Sequence, residues 1–199
     1  MSIDAKKVKD LRDKTGAGMM DCKKALVESS GDMNKAVDFL RKSGITKAEK
    51  KSTRAANEGL IYSYIHHGNR LGVLLDIGCE TDFVAKTEDF KELAHNISMQ
   101  IAATNPITLE REEVDPAIVR REKEIYSEQA ASTGKQEEVI KKIVEGKLNK
   151  YYQENCLLEQ AFIKDSDKNI HDLISEVIAT LGENISVNRF TRFAIGENT

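Results

Sequence analysis

Residues 57–86 read NEGLIYSYIHHGNRLGVLLDIGCETDFVAK. Two apolar runs, GLIYSYIH and RLGVLLDIGC, flank Gly68 and Asn69, a pair suited to a two-residue hairpin turn. Centring the turn there sets the register. Tyr64 then opposes Val73, Tyr62 opposes Leu75 and Leu60 opposes Ile77, an apolar face that requires helices packed on it. The other face pairs Ile65 with Gly72, Ser63 with Leu74 and Ile61 with Asp76. It is less apolar and suits partial cover by another subunit. Directly after the second strand, Phe83 stands between Asp82 and Val84, where a solvated turn is expected. It either folds back as core under the helix that follows, or stays exposed as an aromatic anchor beside a carboxylate, as in binding hot spots. Periodicity does not choose between the two.

Working outward, residues 1–45 read as three short helices. Asp4 caps the first, with Val8 and Leu11 on one face. The second runs from about Met19 to Ser29, with Cys22, Ala25 and Leu26 inward. Asp32 caps the third, where Met33, Ala36, Val37 and Leu40 recur at helical spacing and Gly44 occupies the expected C-terminal cap. So small a bundle suits recognition, not catalysis. Residues 46–56 read as a basic helical linker and 57–199 as an α+β core. In the core, Thr87 caps a helix with the stripe Phe90, Leu93, Ala94, Ile97, Ile101, ended by Asn105 and Pro106. Asp115 and Pro116 open another helix; STGK turns the chain, and a partner helix runs from Gln136 to about Tyr152. Together, residues 115–152 form an antiparallel helical hairpin expected to project from the body. Ile170 to Leu181 is a buried helix closed by Gly182, and ISVNRFTRFAIGE, 185–197, is a third strand. The expected fold is α+β: a three-helix module, then a small three-stranded antiparallel sheet packed on helices.

Composition narrows the function. Hydrophobic residues make up 40% of the chain, and a net charge of −3 disfavours a general nucleic-acid binder. No apolar run approaches the ~20 residues of a membrane span, and the start MSIDAKKVKD has no apolar signal stretch, which points to the cytoplasm. Cys22, Cys79 and Cys156 are far apart, with no zinc pattern and no obvious disulfide framework. There is no P-loop and no GxGxxG, so no cofactor is expected. His66 and His67 would point to opposite sides of a strand and share no metal easily. Cys79 lacks a nucleophile elbow or oxyanion loop and reads as a small buried residue rather than a nucleophile. No catalytic or metal site emerges. Met19 and Met20, about 100° apart on a helix, cannot both be buried in a small bundle. With Arg12 and Lys23 at the rim they suit an adaptable contact surface, with core packing the alternative.

LRDKTGAGMMDCKKAL (11–26), the run 57–86 and the closing NRFTRFAIGE (188–197) closely resemble the bacterial elongation factor Ts family over nearly the whole chain. The resemblance implies a guanine-nucleotide exchange factor for elongation factor Tu, with no covalent chemistry of its own. It implies that residues 1 to about 50 form a ubiquitin-associated-type (UBA-like) three-helix module docking on the GTPase through Arg12, Met19, Met20 and Lys23. It implies that the motif Thr81, Asp82, Phe83, Val84 supplies an intruding pair, Asp82 and Phe83, near the magnesium-binding edge of the nucleotide site. His67 matches a contact histidine after the family's hairpin strand. Longer members duplicate the sheet core and add a C-terminal extension. This sequence has one HGNRLGVLL hairpin and one TDFV, resembling a short form in which two chains do the work of one, so a homodimer is expected. The helical hairpin resembles the family's projecting coiled coil and is assigned no role. The alternative classes are a non-catalytic adaptor, whose bundle binds another helix or ubiquitin-like surface, and a hydrolase using Cys79 and a histidine. Phe83 separates them, because only an exchange factor needs it exposed and held.

Overall fold

The computed structural model describes residues 4–132 and 134–197. In chain order the elements are α1 (Ala5–Thr15), α2 (Met19–Glu28), α3 (Met33–Glu49), β1 (Glu58–Ile65), β2 (Leu71–Cys79), α4 (Asp82–Ala85) and α5 (Glu88–Thr104). Then come α6 (Pro116–Ala131), α7 (Glu137–Asn155), β3 (Ala161–Phe162), β4 (Asp165–Asn169), α8 (Ile170–Leu181) and β5 (Ile185–Ala194). Single 3-10 turns, Arg111–Glu113 and Leu157–Glu159, flank the α6–α7 pair. The main sheet has three strands in the order β1-β2-β5, and β3 with β4 forms a separate antiparallel pair. The molecule is α+β, as the pattern of elements predicts.

Helix starts follow local chemistry. The Asp4 carboxylate accepts the Lys6 N–H at 3.0 Å, Asp32 accepts those of Asn34 and Lys35 at 3.0 and 3.1 Å, and Asp115 accepts that of Ala117 at 2.7 Å. Each such cap satisfies an otherwise orphaned donor and stabilises its helix by about 1 kcal/mol.

The chain divides into two compact units. The first holds residues up to Ser63, Leu74–Asn96 and Asp172–Phe190. Within it, α1, α2 and α3 close on a core of Val8, Leu11, Cys22, Ala25, Leu26 and Ala36. One expectation fails here. Gly44 is not a cap: α3 continues through it to Glu49, past the expected module boundary at residue 45. Gly44 is buried against α8, where a methyl group would stand 3.6 Å from the Ala179 side chain. The glycine serves close helix packing, and a sequence pattern cannot distinguish that from a stop. The Arg41–Asp172 ion pair ties the same two helices.

Gly59 shows a tighter constraint. Its φ is +143°, and a Cβ there would fall 2.1 Å from the Ile77 carbonyl oxygen. Backbone meets backbone, so nothing can yield.

The second unit holds Tyr64–Val73, Ile97–His171 and the residues from Thr191. The hairpin register is the expected one, since the His66 N–H donates to the Leu71 carbonyl at 2.8 Å. The turn is larger than two residues. It spans 67–70, with Gly68 and Asn69 both at positive φ and the Asn69 N–H on the His66 carbonyl at 3.0 Å. In α6 and α7, Lys147 Nζ donates to Gln129 Oε1 at 2.6 Å and lies 5.4 Å from the Tyr126 ring centre. The expected STGK turn includes Thr133, which lies outside the described residues. The short pair β3–β4 was not foreseen. It is fastened by buried Gln100, whose amide donates to Gln160 Oε1 and to the Ala161 carbonyl and accepts from the Ile163 N–H. Arg111 grips Glu159, donates to Asn149 Oδ1 at 3.0 Å and stacks 4.9 Å from the Tyr152 ring centre.

Gly59→Ala is expected to destabilise the protein by about 3 kcal/mol, because the strained φ and the clash add. Gly146→Ala, in α7 with nothing within 4 Å, is expected to stabilise by up to about 1 kcal/mol. Urea midpoints of the two variants measure both.

Candidate functional site

Two exposed groups of side chains in the first unit carry the expected site residues. One lies on the three-helix bundle. Helix α2 buries Cys22, Ala25 and Leu26 and turns the opposite side outward. Met19 is 48% exposed and Met20 73% exposed, and Lys23 is exposed one turn further on. Arg12 is exposed near the end of α1, where its carbonyl accepts the Gly16 N–H at 2.8 Å. Core packing is thereby ruled out for Met20. Val27, 52% exposed, continues the line of Met20 and Lys23 at helical spacing. Sequence reasoning passed over it because a lone valine among core-spaced residues reads as core. Lys47 Nζ holds Asp21 at 2.8 Å, fixing the exposed α2 surface to α3.

The other group is the turn after β2. Strand β2 buries Leu75, Ile77 and Cys79 and ends there. A one-turn helix, α4, begins at once. Phe83 is 79% exposed, the highest value of any large apolar side chain among the described residues. Val84, the next residue, is buried. One turn therefore splits two adjacent apolar residues, one anchoring and one presented. The core reading of Phe83 is excluded, and the site sits on a short helix rather than at the strand end itself. Asp82 pairs with Lys86 at 2.6 Å, and that hydrogen bond holds the Lys86 ammonium above the usual lysine range.

The surroundings of Thr81 are dense in hydrogen bonds. Its hydroxyl accepts the Val84 N–H at 3.4 Å and donates to Glu183 Oε1 at 2.7 Å; its own N–H donates to Glu183 Oε2 at 3.0 Å. Its carbonyl accepts the Cys79 thiol at 3.1 Å. Next to it, Glu80 Oε1 accepts the Asn184 N–H at 2.7 Å and pairs with Arg54 at 3.4 Å. The Asn184 hydrogen bond, with Arg54 adding to it, holds the Glu80 carboxyl below the usual glutamate range. Thr87 closes the turn by donating to the Val84 carbonyl at 2.8 Å and capping Phe90 N–H at 3.3 Å.

His67 belongs to the second unit, exposed in the 67–70 turn, while neighbouring His66 takes a hydrogen bond with the Tyr64 hydroxyl at 2.8 Å. Among the described residues no group of three or more His, Cys, Asp or Glu is placed to hold a metal ion. Cys22, Cys79 and Cys156 are all buried and free, and burial pushes each thiol up. A buried thiol with a raised pKa is a poor nucleophile. Among the described residues no helix is long and apolar enough to cross a membrane.

The model of the family described as elongation factor TS matches residues 42–197. The chain is 59% identical over 195 residues to an elongation factor Ts of Syntrophomonas wolfei subsp. wolfei, covering 98% of this chain and 91% of the relative. It is 56% identical over 195 residues to that of Moorella thermoacetica, covering 98% and 96%. To that of Thermosipho melanesiensis it is 55% identical over 195 residues, covering 98% and 100%.

The three thiols are expected to react slowly with an aromatic disulfide reagent in the native protein and fast in denaturant. A fast native phase assigned to Cys79 would return it to the list of reactive groups.

Proposed function

The chain belongs to the elongation factor Ts family, and on that premise we propose that it is a guanine-nucleotide exchange factor of translation elongation. It binds elongation factor Tu in its GDP form and promotes GDP release. The observation that carries this reading is Phe83: a large aromatic side chain, 79% exposed, on a turn anchored by buried Val84.

The physical logic runs from that geometry. GDP in a GTPase is held by backbone amides on its phosphates and by a bridging Mg²⁺, interactions that depend steeply on geometry. An inserted wedge that shifts these groups weakens them together. Phe83, with Asp82 beside it, inserts near the magnesium-binding edge; Thr81 and Val84 hold the motif in place. Burying an exposed phenylalanine releases about 1.5–3 kcal/mol, which offsets the distortion. By linkage the factor binds the nucleotide-free GTPase best, and either nucleotide weakens its grip. No cofactor, metal or covalent step of its own takes part, and neither nucleic acid nor membrane is a direct partner.

The N-terminal bundle is the second contact. Its UBA-like surface docks Arg12, Met19, Met20 and Lys23 on the GTPase domain, with methionine supplying an adaptable apolar contact between charged rims. His67 adds a contact from the hairpin turn. A homodimer is part of the same proposal. Ile61 and Ile65 are exposed on the edge strand β1, and Phe193 and Ile195 are exposed at the end of β5. Exposed apolar side chains on sheet edges suit cover by a second copy. The workplace is the cytoplasm, where elongation occurs.

Release of fluorescent GDP from elongation factor Tu, with this protein in substoichiometric amount, is the test. The wild type should discharge the whole bound pool. Phe83→Ala should keep the wild-type melting midpoint, since the side chain is exposed, and lower the exchange rate by about 30-fold or more. Met20→Ala should lower it by about tenfold through weaker docking. A wild-type rate in Phe83→Ala removes the wedge; no acceleration by the folded wild type favours the adaptor.

A further inference from the structure

We infer that Glu183, at the turn between α8 and β5, is the positioning residue that holds the Phe83 turn in its working geometry. The inference rests on the exchange reading above. Helix α4 has four residues, far fewer than an isolated helix needs to persist in water. Something outside it must order it. Val84 burial supplies an anchor but not a direction. Direction comes from Thr81, the residue whose backbone leads into the helix.

Thr81 is held on both of its hydrogen-bond donors by one carboxylate. Glu183, 102 residues away in sequence, accepts the Thr81 N–H at 3.0 Å and the Thr81 hydroxyl at 2.7 Å. A threonine hydroxyl has one proton. Committing it to Glu183 turns the oxygen lone pairs toward Val84 N–H, the cap that α4 requires. Glu183 therefore sets the cap as well as the backbone. The arrangement is reciprocal: Glu80, beside Thr81, accepts the N–H of Asn184, beside Glu183. Asn184 Nδ2 in turn donates to the Arg54 carbonyl at 2.8 Å, and Arg54 pairs with Glu80. Two dipeptides, Glu80–Thr81 and Glu183–Asn184, brace each other, and Phe83 is carried two residues beyond the brace. Charge-assisted hydrogen bonds of this kind are stronger than neutral ones. Glu183 thus locks both the side chain and the backbone of Thr81.

A double-mutant cycle tests this, with amide hydrogen exchange of Val84 and Ala85 as a second readout. Glu183→Ala should lower GDP-release stimulation by about tenfold. In the Phe83→Ala background it should cause no further loss, because it acts through that ring. Glu183→Gln, which keeps an acceptor for the Thr81 N–H, should fall between, and it carries the test if the alanine variant does not fold. The Val84 and Ala85 amides should exchange about tenfold faster in Glu183→Ala, with core amides of α5 unchanged. Additive losses in the cycle, or unchanged Val84 and Ala85 exchange, overturn the proposal. If the wild type does not accelerate GDP release, the exchange reading fails instead; if Phe83→Ala alone releases GDP at the wild-type rate, the wedge role of Phe83 fails. The amide measurement then still decides whether Glu183 holds the turn.

Discussion

Alternate side chains of one strand, Val73, Leu75, Ile77 and Cys79, are buried, and the place of the Phe83 turn is set by where that row stops. Each such burial contributes about 1.5–3 kcal/mol, so the strand cannot slip without turning its apolar row to water. Gly59 enforces the same register from the neighbouring strand, because only glycine lets the two backbones approach so closely there. With the strand pinned, Cys79 fixes the level at which Glu80 and Thr81 emerge, and the chain must turn at that point.

The turn solves a specific problem. A large apolar side chain is kept exposed here without collapsing onto its own protein. Phe83 would bury itself locally if the backbone allowed it. Helical geometry prevents this by sending Val84 inward and Phe83 outward, about 100° apart. The Thr81 and Thr87 hydroxyls close the two ends of the turn, so its few residues leave little freedom to relax. Holding the ring in place beforehand reduces the ordering cost on binding, which is where preorganised contacts gain affinity.

The methionine surface works on a different principle. Its helix is longer, shares a core with two others, and is tied to one of them by the Lys47–Asp21 pair. Its exposed methionines are flexible by chemistry, and the frame beneath them is stiff. The aromatic site reverses this: the ring is stiff, and the frame is a single turn that relies on a carboxylate from a distant part of the chain. That dependence explains why the hydrogen bonds around Thr81 are so concentrated.

Much of this was legible in the residue pattern. Asp4, Asp32 and Asp115 marked helix starts, because capping is chemistry between near neighbours. The period of two in GLIYSYIH and RLGVLLDIGC set the hairpin register, because side-chain alternation follows from backbone geometry alone. Family membership was readable from LRDKTGAGMMDCKKAL and TDFVAK for the same reason: contiguous residues carry it. What needed the tertiary structure was every choice that depends on distant residues. Gly44 read as a helix stop and is instead a packing surface against Ala179. Gln100 and Gln160, 60 apart, are buried on each other, a pairing no local pattern announces. Whether Phe83 was core or anchor stayed open in the sequence, since both patterns look alike locally. The folded chain decided it: the turn buries Val84 and leaves Phe83 exposed, and Glu183, 102 residues beyond Thr81, comes back to hold the Thr81 backbone.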